Sequence, residues 1–159
     1  MSIICYPYDF EYKVKNGKVY VYLYAKTEDH QHLCIVHEHY PFFYVKVPLT
    51  NKEQLLEKIT KATITDNQTT AHVRNIIEVT REFIGNQQQF WQVYVSYPKA
   101  VPLFAKEFQQ WGLECFEKDI LFVHRYLRDM NIIPMQKIIV DGKYIDSEIL
   151  DEPQTTIKF

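Results

Sequence analysis

The residues between positions 30 and 39 contain most of the chain's histidines and one cysteine. They are His30, His32, Cys34, His37 and His39. Imidazole nitrogens and a thiolate are ligands that zinc prefers, and on a strand positions 30, 32 and 34 share one face. Positions 37 and 39 have the opposite parity, and the spacing matches no closed zinc site. We therefore predict exposed histidines on an edge strand and no metal site.

Carboxylates offer a second kind of chemistry at Asp146 and Glu148, a D-x-E pair of the type that two-metal nucleases use. No distant set of aspartates completes such a site, so we expect both side chains to be solvated. The sequence also lacks the G-x-S-x-G nucleophile motif, the P-loop and the dinucleotide-binding glycine pattern. We predict no catalytic residue, no cofactor and no enzyme activity for these 159 residues alone.

The composition indicates a folded, β-rich chain without naming its chemistry. Of the 159 residues, 47% are hydrophobic, which is enough to bury a sizeable core. The 12 tyrosines, 10 phenylalanines and 2 tryptophans indicate platforms that pack sheets or stack on planar ligands. The net charge of −2 provides no general positive field for nucleic acid, so any such partner requires a local surface.

The sequence also bears on the cellular compartment. The first residues do not resemble a signal peptide, and no stretch approaches the roughly 20 apolar residues of a membrane helix. Cys5, Cys34 and Cys115 are odd in number and far apart, which is typical of free thiols in a reducing cytoplasm. We expect a cytoplasmic protein without disulfides or membrane contact.

The first forty residues predict three antiparallel strands. Aromatic and apolar residues alternate with charged ones over residues 10–15, and Asn16-Gly17 follows. Asn-Gly between such runs is the strongest short hairpin signal, because a type I′ turn needs positive φ at both positions. The return strand covers residues 19–24, and a third strand runs from His32 to His37.

Residues 42–117 have the element order β-α-β-β-α-β of a ferredoxin-like fold. We expect strands at residues 42–47, 73–83, 90–97 and 113–116. Thr50 and Glu53 predict a capping box for the first helix. The second helix is expected over residues 101–111, with Gly112 at its end.

A third helix is predicted over residues 120–130. A β hairpin follows, with strands at 138–140 and 144–145 around Asp141-Gly142, and then an acidic linker. The expected fold is α+β: an N-terminal antiparallel hairpin or meander packed with the ferredoxin-like subdomain, plus the C-terminal helix and hairpin.

The same β-α-β-β-α-β order occurs in RNA-recognition motifs, whose central-strand aromatics stack on bases. Phe90 and Trp91 lie on a candidate central strand, but the residues before them lack the basic-glycine-aromatic signature of that module. Core packing explains these rings equally well. A free-standing single-stranded RNA-binding module is therefore an alternative to weigh.

A longer set of motifs resembles the N-terminal domain of archaeal-type family B DNA polymerases. The sharpest is F-E-K-D-I-L-F-V-H-R-Y-L at residues 116–127, followed by N-I-I-P-M at 131–135. Tyr12 ahead of N-G-K, Y-P-F-F-Y at 40–44 and Y-P-K-A-V-P at 97–102 agree in order and spacing. The resemblance spans nearly the whole chain.

The resemblance implies a domain that binds single-stranded template DNA ahead of synthesis and recognises deaminated bases, chiefly uracil. The family's binding positions fall here on Tyr12, Pro41, Phe42, Pro98, Val101, Ile120, Phe122, Arg125 and Tyr126. Phe42 departs from the family's usual Tyr, and His124 departs from its usual Lys.

The residue types suit that role. Uracil lacks only the C5 methyl of thymine, so discrimination requires a tight apolar wall, which Val101 and the proline rings are suited to form. Backbone groups near Phe42 and Ile120 would match the edge of uracil and leave the amino group of cytosine unpaired, which is costly in a buried site.

The remaining positions are suited to contact other parts of a single DNA strand. Tyr12 and Phe122 would flank the base, and the planar fork of Arg125 matches phosphate oxygens. Two alternatives need no reading of bases: Arg125 pairs with Asp129 at i,i+4, or the domain only braces the polymerase and clamps the template backbone.

The resemblance also implies a domain division. Residues 1–135 would form the polymerase N-terminal domain, including the ferredoxin-like subdomain at 42–117. Residues 136–159 would form the hairpin and linker toward an exonuclease domain absent from this sequence. Catalysis would belong to a parent DNA-directed DNA polymerase with 3′–5′ exonuclease, whose other domains and template are the expected partners, in a nucleoid-associated setting.

Overall fold

The computed structural model describes residues 2–67, 69–141 and 145–146, which fold as two compact units. The first unit comprises Met1–His39 and Leu121–Phe159, and the second comprises Tyr40–Ile120. The strands are β1 (Ser2–Lys15), β2 (Lys18–Thr27), β3 (His32–Glu38), β4 (Phe42–Lys46), β5 (Thr63–Asp66), β6 (Thr69–Phe83), β7 (Asn86–Val95), β8 (Cys115–Phe116), β9 (Ile138–Asp141) and β10 (Ile145–Asp146). The helices are α1 (Lys52–Thr60), α2 (Val101–Gln110) and α3 (Phe122–Asp129). The expected α+β class with antiparallel sheets is confirmed.

The first unit is built on a five-stranded sheet in the order β10-β3-β2-β1-β9. Its central hairpin turns at Asn16 (φ 52°) and Gly17 (φ 75°), as the Asn-Gly signal predicted. The core face of β2 presents Val19, Val21 and Leu23, all fully buried. The alternation of buried and outward residues follows from the two-residue period of a strand.

The two C-terminal strands correct the predicted hairpin. In the described residues β9 pairs with β1 and β10 pairs with β3, so each extends a different edge of the sheet instead of pairing with the other. Asp141 and Ile145 are four residues apart, a span of at most about 14 Å. The outer strands of a flat five-stranded sheet lie about 19 Å apart. The sheet must therefore curl to bring its edges toward each other.

The second unit has the predicted ferredoxin-like topology. Its sheet order is β5-β6-β7-β4-β8, with antiparallel pairing throughout and one additional short strand, β5, at the edge. One face of the sheet packs against the helices. Its core is formed by buried apolar residues, among them Phe43, Val45, Trp91, Val93, Val95, Phe104 and Phe108.

The helix ends show where local sequence signals held and where they failed. The capping box at Thr50 and Glu53 is wrong: α1 begins at Lys52, with Asn51 in the left-handed region (φ 57°) and no side-chain cap. Asn tolerates that conformation better than most residues, so the turn forms one residue later than predicted. Helix α2 ends as predicted, since Gly112 takes φ 86° and Leu113 N–H donates to Phe108 C=O in a Schellman motif.

The other face of the second sheet carries an aromatic row: Phe42, Tyr44, Phe83, Phe90, Tyr94 and Phe116. Neighbouring ring centroids lie between 5.0 and 6.3 Å apart, with the planes tilted or edge-on. These are favourable geometries for aromatic pairs in a core. Phe42 and Phe90 are only 6% and 4% exposed, so the row is largely shielded from solvent.

Candidate nucleic-acid interface

The predicted binding residues divide between the two units. Tyr12, Phe122, Arg125 and Tyr126 lie in the first unit, and the second contains Pro41, Phe42, Pro98, Val101 and Ile120.

In the first unit, the end of β3 and helix α3 bring the motif residues together around a histidine. The ring of His39 stacks on Phe122 (5.9 Å, 24°) and meets Tyr126 edge-on (5.1 Å). Tyr12 meets Phe122 edge-on at 5.3 Å. Residues more than a hundred positions apart in sequence thus form one contact group, which we call the His39 cluster: Tyr12, His37, His39, Phe122, Arg125 and Tyr126.

Tyr126 is the innermost ring of this cluster. It is 0% exposed, and its hydroxyl is 2.8 Å from His37 Nδ1. Burial raises the pKa of Tyr126 far above its ordinary value, so the hydroxyl stays protonated. A Tyr–His hydrogen bond therefore connects β3 to α3.

The electrostatics of the cluster keep His39 neutral. Burial, together with the proximity of His37 and Arg125, lowers the pKa of His39 from 6.5 to about 4. Its Nε2 is buried and has no hydrogen-bond partner among the described residues. Arg125 is only 3% exposed, and its guanidinium lies 4.0 Å from Asp129 Oδ1, one helical turn away.

These contacts correct the prediction that the histidines of residues 30–39 are exposed. His30 and His32 are exposed, but His37 and His39 are half-buried members of the cluster. Positions 37 and 39 have the same parity as buried Leu33, which lies on the core face of β3. This shared parity is the sequence feature that indicates their burial. Because the contacts of His37 and His39 with α3 are long-range, local patterning did not reveal them.

In the second unit, the sheet topology brings the predicted residues to one end. Strand β4 starts at Phe42, opposite Tyr94 near the end of β7, and Pro98 and Val101 follow shortly after β7. Strand β8 runs antiparallel to β4 and ends at Phe116, so the chain toward Ile120 leaves the sheet at the same end.

The backbone of Phe42 points away from β7. Val95 N–H donates to Pro41 C=O at 3.1 Å, which makes 41 and 95 a hydrogen-bonded pair of the ladder. Because such pairs alternate along antiparallel strands, Phe42 and Tyr94 form a non-hydrogen-bonded pair. The Phe42 N–H and C=O are therefore directed to the β8 side, where β8 itself ends at Phe116.

Tyr40, which precedes β4, is contacted by an arginine of β6. The Arg74 guanidinium lies 3.7 Å from the centroid of the Tyr40 ring, a close cation–π contact. Arg74 lies where the β6–β7 register shifts, between Val73 and Asn75. Neither the bulge nor the contact has a local signature, so the sequence does not single out Arg74.

Exposure separates the predicted residues into two groups. Tyr12, Pro98 and Ile120 are half-buried and accessible to a ligand. The others are buried: Pro41, Phe42, Val101, Phe122, Arg125 and Tyr126. Three of the nine predicted residues therefore present accessible side-chain surface, and six are buried.

Other site classes receive no support from the described residues. No group of three or more His, Cys, Asp or Glu within them is arranged to hold a metal ion. Of the D-x-E pair, Glu148 lies outside the described part of the chain. Cys5 and Cys34 are buried free thiols, whose pKa burial raises to about 11. No helix in the described ranges is long and apolar enough to cross a membrane.

Several known proteins are similar to this chain in sequence. No family model matches the chain. The DNA polymerase of Desulfurococcus sp. (strain Tok) is 26% identical over 130 residues, which is 80% of this chain and 16% of that protein. The DNA polymerase of Thermococcus kodakarensis is 25% identical over 130 residues, again 80% of this chain but 8% of its own length.

The fold of this chain is also similar to that of a solved structure. The family B DNA polymerase from Pyrobaculum calidifontis matches with a TM-score of 0.67 and 21% identity, over 83% of this chain and 17% of that one. Homologues of this chain are archaeal family B DNA polymerases. The resemblance identified from the sequence motifs is thereby confirmed. The chain spans about one sixth or less of the length of these polymerases.

Proposed function

We propose that this chain is the N-terminal domain of a family B DNA polymerase that binds single-stranded template DNA and recognises uracil ahead of synthesis. The polymerase and exonuclease activities then belong to the other domains of the parent protein. The observation that carries the proposal is the meeting of Tyr12 with Phe122 at 5.3 Å. These two residues come from separate motifs, and the resemblance gives both the role of flanking a base.

The half-buried residues are proposed to contact the strand. The ring of Tyr12 offers a face or edge for stacking, which contributes about 1–3 kcal/mol per base in single-strand binders. Pro98 begins the 3-10 turn just before α2 and Val101 is the first residue of α2. Their apolar surfaces supply a wall that a C5 methyl would strike. The resemblance assigns the polar edge that distinguishes uracil from cytosine to backbone groups near Phe42 and Ile120.

The buried residues receive a different role from the one that the motif alone suggests. Arg125 is 3% exposed and lies 4.0 Å from Asp129, so its guanidinium is not presented to a phosphate. Tyr126 is fully buried with its hydroxyl on His37. We assign both as positioning residues that hold α3 and Phe122 in place.

The direct test is a comparison of two oligonucleotides that differ only in one uracil or thymine. Fluorescence anisotropy with the 159-residue chain is expected to give a uracil preference of about 10–200-fold, the range that one methyl contributes in an apolar pocket. Equal affinities would overturn uracil recognition while leaving single-strand binding intact.

Substitution of Val101 tests where the base is read. Val101→Gln fills the proposed pocket with a longer side chain, and Val101→Ala makes room for the thymine methyl. Both variants are therefore expected to bring the ratio of uracil to thymine affinity close to one. Since Val101 is 6% exposed, the polar substitution costs about 1–3 kcal/mol of stability, and folding is checked by tryptophan fluorescence. Leu103→Gln, at a 37% exposed position of the same helix, is the matched control. Full discrimination in both Val101 variants would place the pocket elsewhere.

Two other functions predict different binding data. A module that only clamps the template backbone would bind uracil and thymine strands equally and lose affinity steeply with salt. A free-standing RNA-binding module would prefer RNA to matched DNA. The structure disfavours the second, because Phe90 and Trp91 are only 4% and 1% exposed and cannot stack on bases as they stand.

A further inference from the structure

A groove on the first unit lies outside the predicted binding residues. It encloses about 390 Å³ and is lined by Tyr6, Tyr8, Lys26, His32 and Met135. Tyr8 is 41% exposed and Met135 is 70% exposed, so both side chains are accessible to a ligand. Two aromatic rings, a thioether, an imidazole and an ammonium group therefore share one accessible depression.

The sheet register explains how these residues meet. Tyr6 of β1 is opposite Lys26 of β2, and Lys26 is opposite His32 of β3. Directly opposed residues of an antiparallel sheet lie on the same face, about 5 Å apart. Their neighbours Ala25 and Leu33 are buried on the other face, so the row points away from the core.

Two departures from regular backbone geometry complete the groove. A β-bulge between Pro7 and Asp9 makes Tyr8 the additional residue of β1, and bulges redirect side chains in this way. Met135 takes φ 70°, rare for a residue other than glycine, and its N–H donates to Pro7 C=O at 2.7 Å. One hydrogen bond thus ties the two irregular segments together beside the Tyr6–Lys26–His32 row.

The contacts within the groove order its rings and its cation. The Tyr8 hydroxyl is 3.2 Å from His32 Nδ1, and the two rings are edge-on at 6.1 Å. Lys26 Nζ lies 5.9 Å from the Tyr8 centroid. The Tyr6 hydroxyl donates to Glu28 at 3.3 Å, which leaves the ring of Tyr6 as an apolar wall. Aromatic faces beside a single cation match a nucleotide, with its base on the rings and its phosphate near the ammonium.

We propose that this groove is a second single-stranded DNA subsite, which binds a nucleotide outside the base-reading residues and without regard to its base. The proposal rests on the proposed function for the choice of DNA as the strand. Stacking tolerates any base because every base has a π-face, so the groove would add affinity but no selectivity. It would guide the strand along the first unit.

The experiment uses a labelled oligothymidine without uracil, so that it reports single-strand affinity alone. Tyr8→Ala is expected to weaken binding about 10-fold or more, because it removes a stacking face. Tyr8→Phe keeps the ring and is expected to retain most of the affinity. Lys26→Gln is expected to reduce the slope of log Kobs against log salt by about 0.7, the contribution of one phosphate contact in a single strand. Far-UV circular dichroism verifies folding of each variant.

Lys18→Gln is the matched control, since Lys18 is an exposed lysine on the same strand and face, about 27 Å away. Three results would overturn the subsite. They are unchanged oligothymidine affinity in Tyr8→Ala, equal effects of the two lysine variants, and tighter binding of matched RNA than of DNA. The ratio of uracil to thymine affinity separates this outcome from the proposed function, because Tyr8→Ala is expected to leave that ratio unchanged.

Discussion

The two units each contain a cluster of aromatic side chains, and the clusters differ in what surrounds the rings. In the aromatic row of the second unit, rings such as Phe90 and Phe116 contact mainly other rings. In the His39 cluster of the first unit, rings contact two histidines and lie near a buried arginine. The aromatic row combines phenylalanines with two tyrosines, whereas the His39 cluster is built around two histidines.

This difference separates packing from chemistry. Rings that contact only rings contribute burial and edge-to-face geometry, and their energy does not vary with pH. A histidine held neutral among rings adds a free energy that depends on protonation. The second unit is therefore expected to respond to loss of volume, whereas the first is also expected to respond to proton uptake by His39 or to loss of the Tyr126 hydroxyl.

The largest expected effect is truncation within the aromatic row. Phe90→Ala removes a 4% exposed ring that contacts Tyr44, Phe83 and Phe116, and it should cost about 3–5 kcal/mol of unfolding free energy. Trp91 and Trp111 both lie in the second unit, so tryptophan fluorescence in a urea titration follows that unit directly. Leu49→Ala, at a fully exposed position, serves as a control and should change stability by less than about 0.5 kcal/mol. A Phe90→Ala cost as small as that of the control would show that the row does not stabilise its unit.

Acid titration of the His39 cluster is expected to have the next largest effect. Folding lowers the pKa of His39 from 6.5 to about 4, so the unfolded chain takes up this proton first as the pH falls. The associated stability is complete above about pH 6.5 and is lost progressively toward pH 4. A shift of this size corresponds to about 3 kcal/mol at most. Urea titrations at several pH values between 4 and 7, followed by circular dichroism, measure the slope.

His39→Phe keeps a ring on Phe122 and removes the titrating nitrogen, so its stability should vary less with pH in that window. His124→Gln, which removes an exposed histidine of α3, should leave the slope as it is. If His39→Phe retains the full pH dependence, the lost stability belongs to another group and the contrast between the two clusters fails.

Local signals predicted those parts of the fold that depend on neighbouring residues. Asn16-Gly17 needs only its own backbone preferences to form a turn, and Gly112 at the end of α2 likewise completes a Schellman motif locally. The order of elements in residues 42–117 was sufficient to predict the sheet topology of the second unit. These features are decided within a few residues or by the connectivity rules of short motifs.

The errors occur where distant segments decide the outcome. The strands β9 and β10 carry the pattern of a hairpin, but in the described residues β9 pairs with β1 and β10 pairs with β3. His37 and His39 were predicted to be exposed because the helix that covers them lies nearly ninety residues later. The role that the motif resemblance implies for Arg125 stays a prediction, and the structure adds that this side chain is buried near Asp129. Burial of a polar side chain is a tertiary property that residue type does not encode.

The smallest expected effect compares two Tyr–His pairs of the first unit. Tyr126 and His37 are joined at 2.8 Å in a buried position, and Tyr8 and His32 are joined at 3.2 Å in an exposed one. Tyr126→Phe should cost about 1 kcal/mol, because it removes the hydrogen bond between the fully buried Tyr126 hydroxyl and the half-buried His37 ring. Tyr8→Phe should cost close to nothing, since solvent replaces the bond. Circular dichroism in urea measures both variants, and equal costs would mean that burial adds no strength to the cluster's hydrogen bond. A larger cost for Tyr126→Phe would instead show that its hydroxyl helps to fix α3 against β3, which is the arrangement that holds Phe122 beside Tyr12.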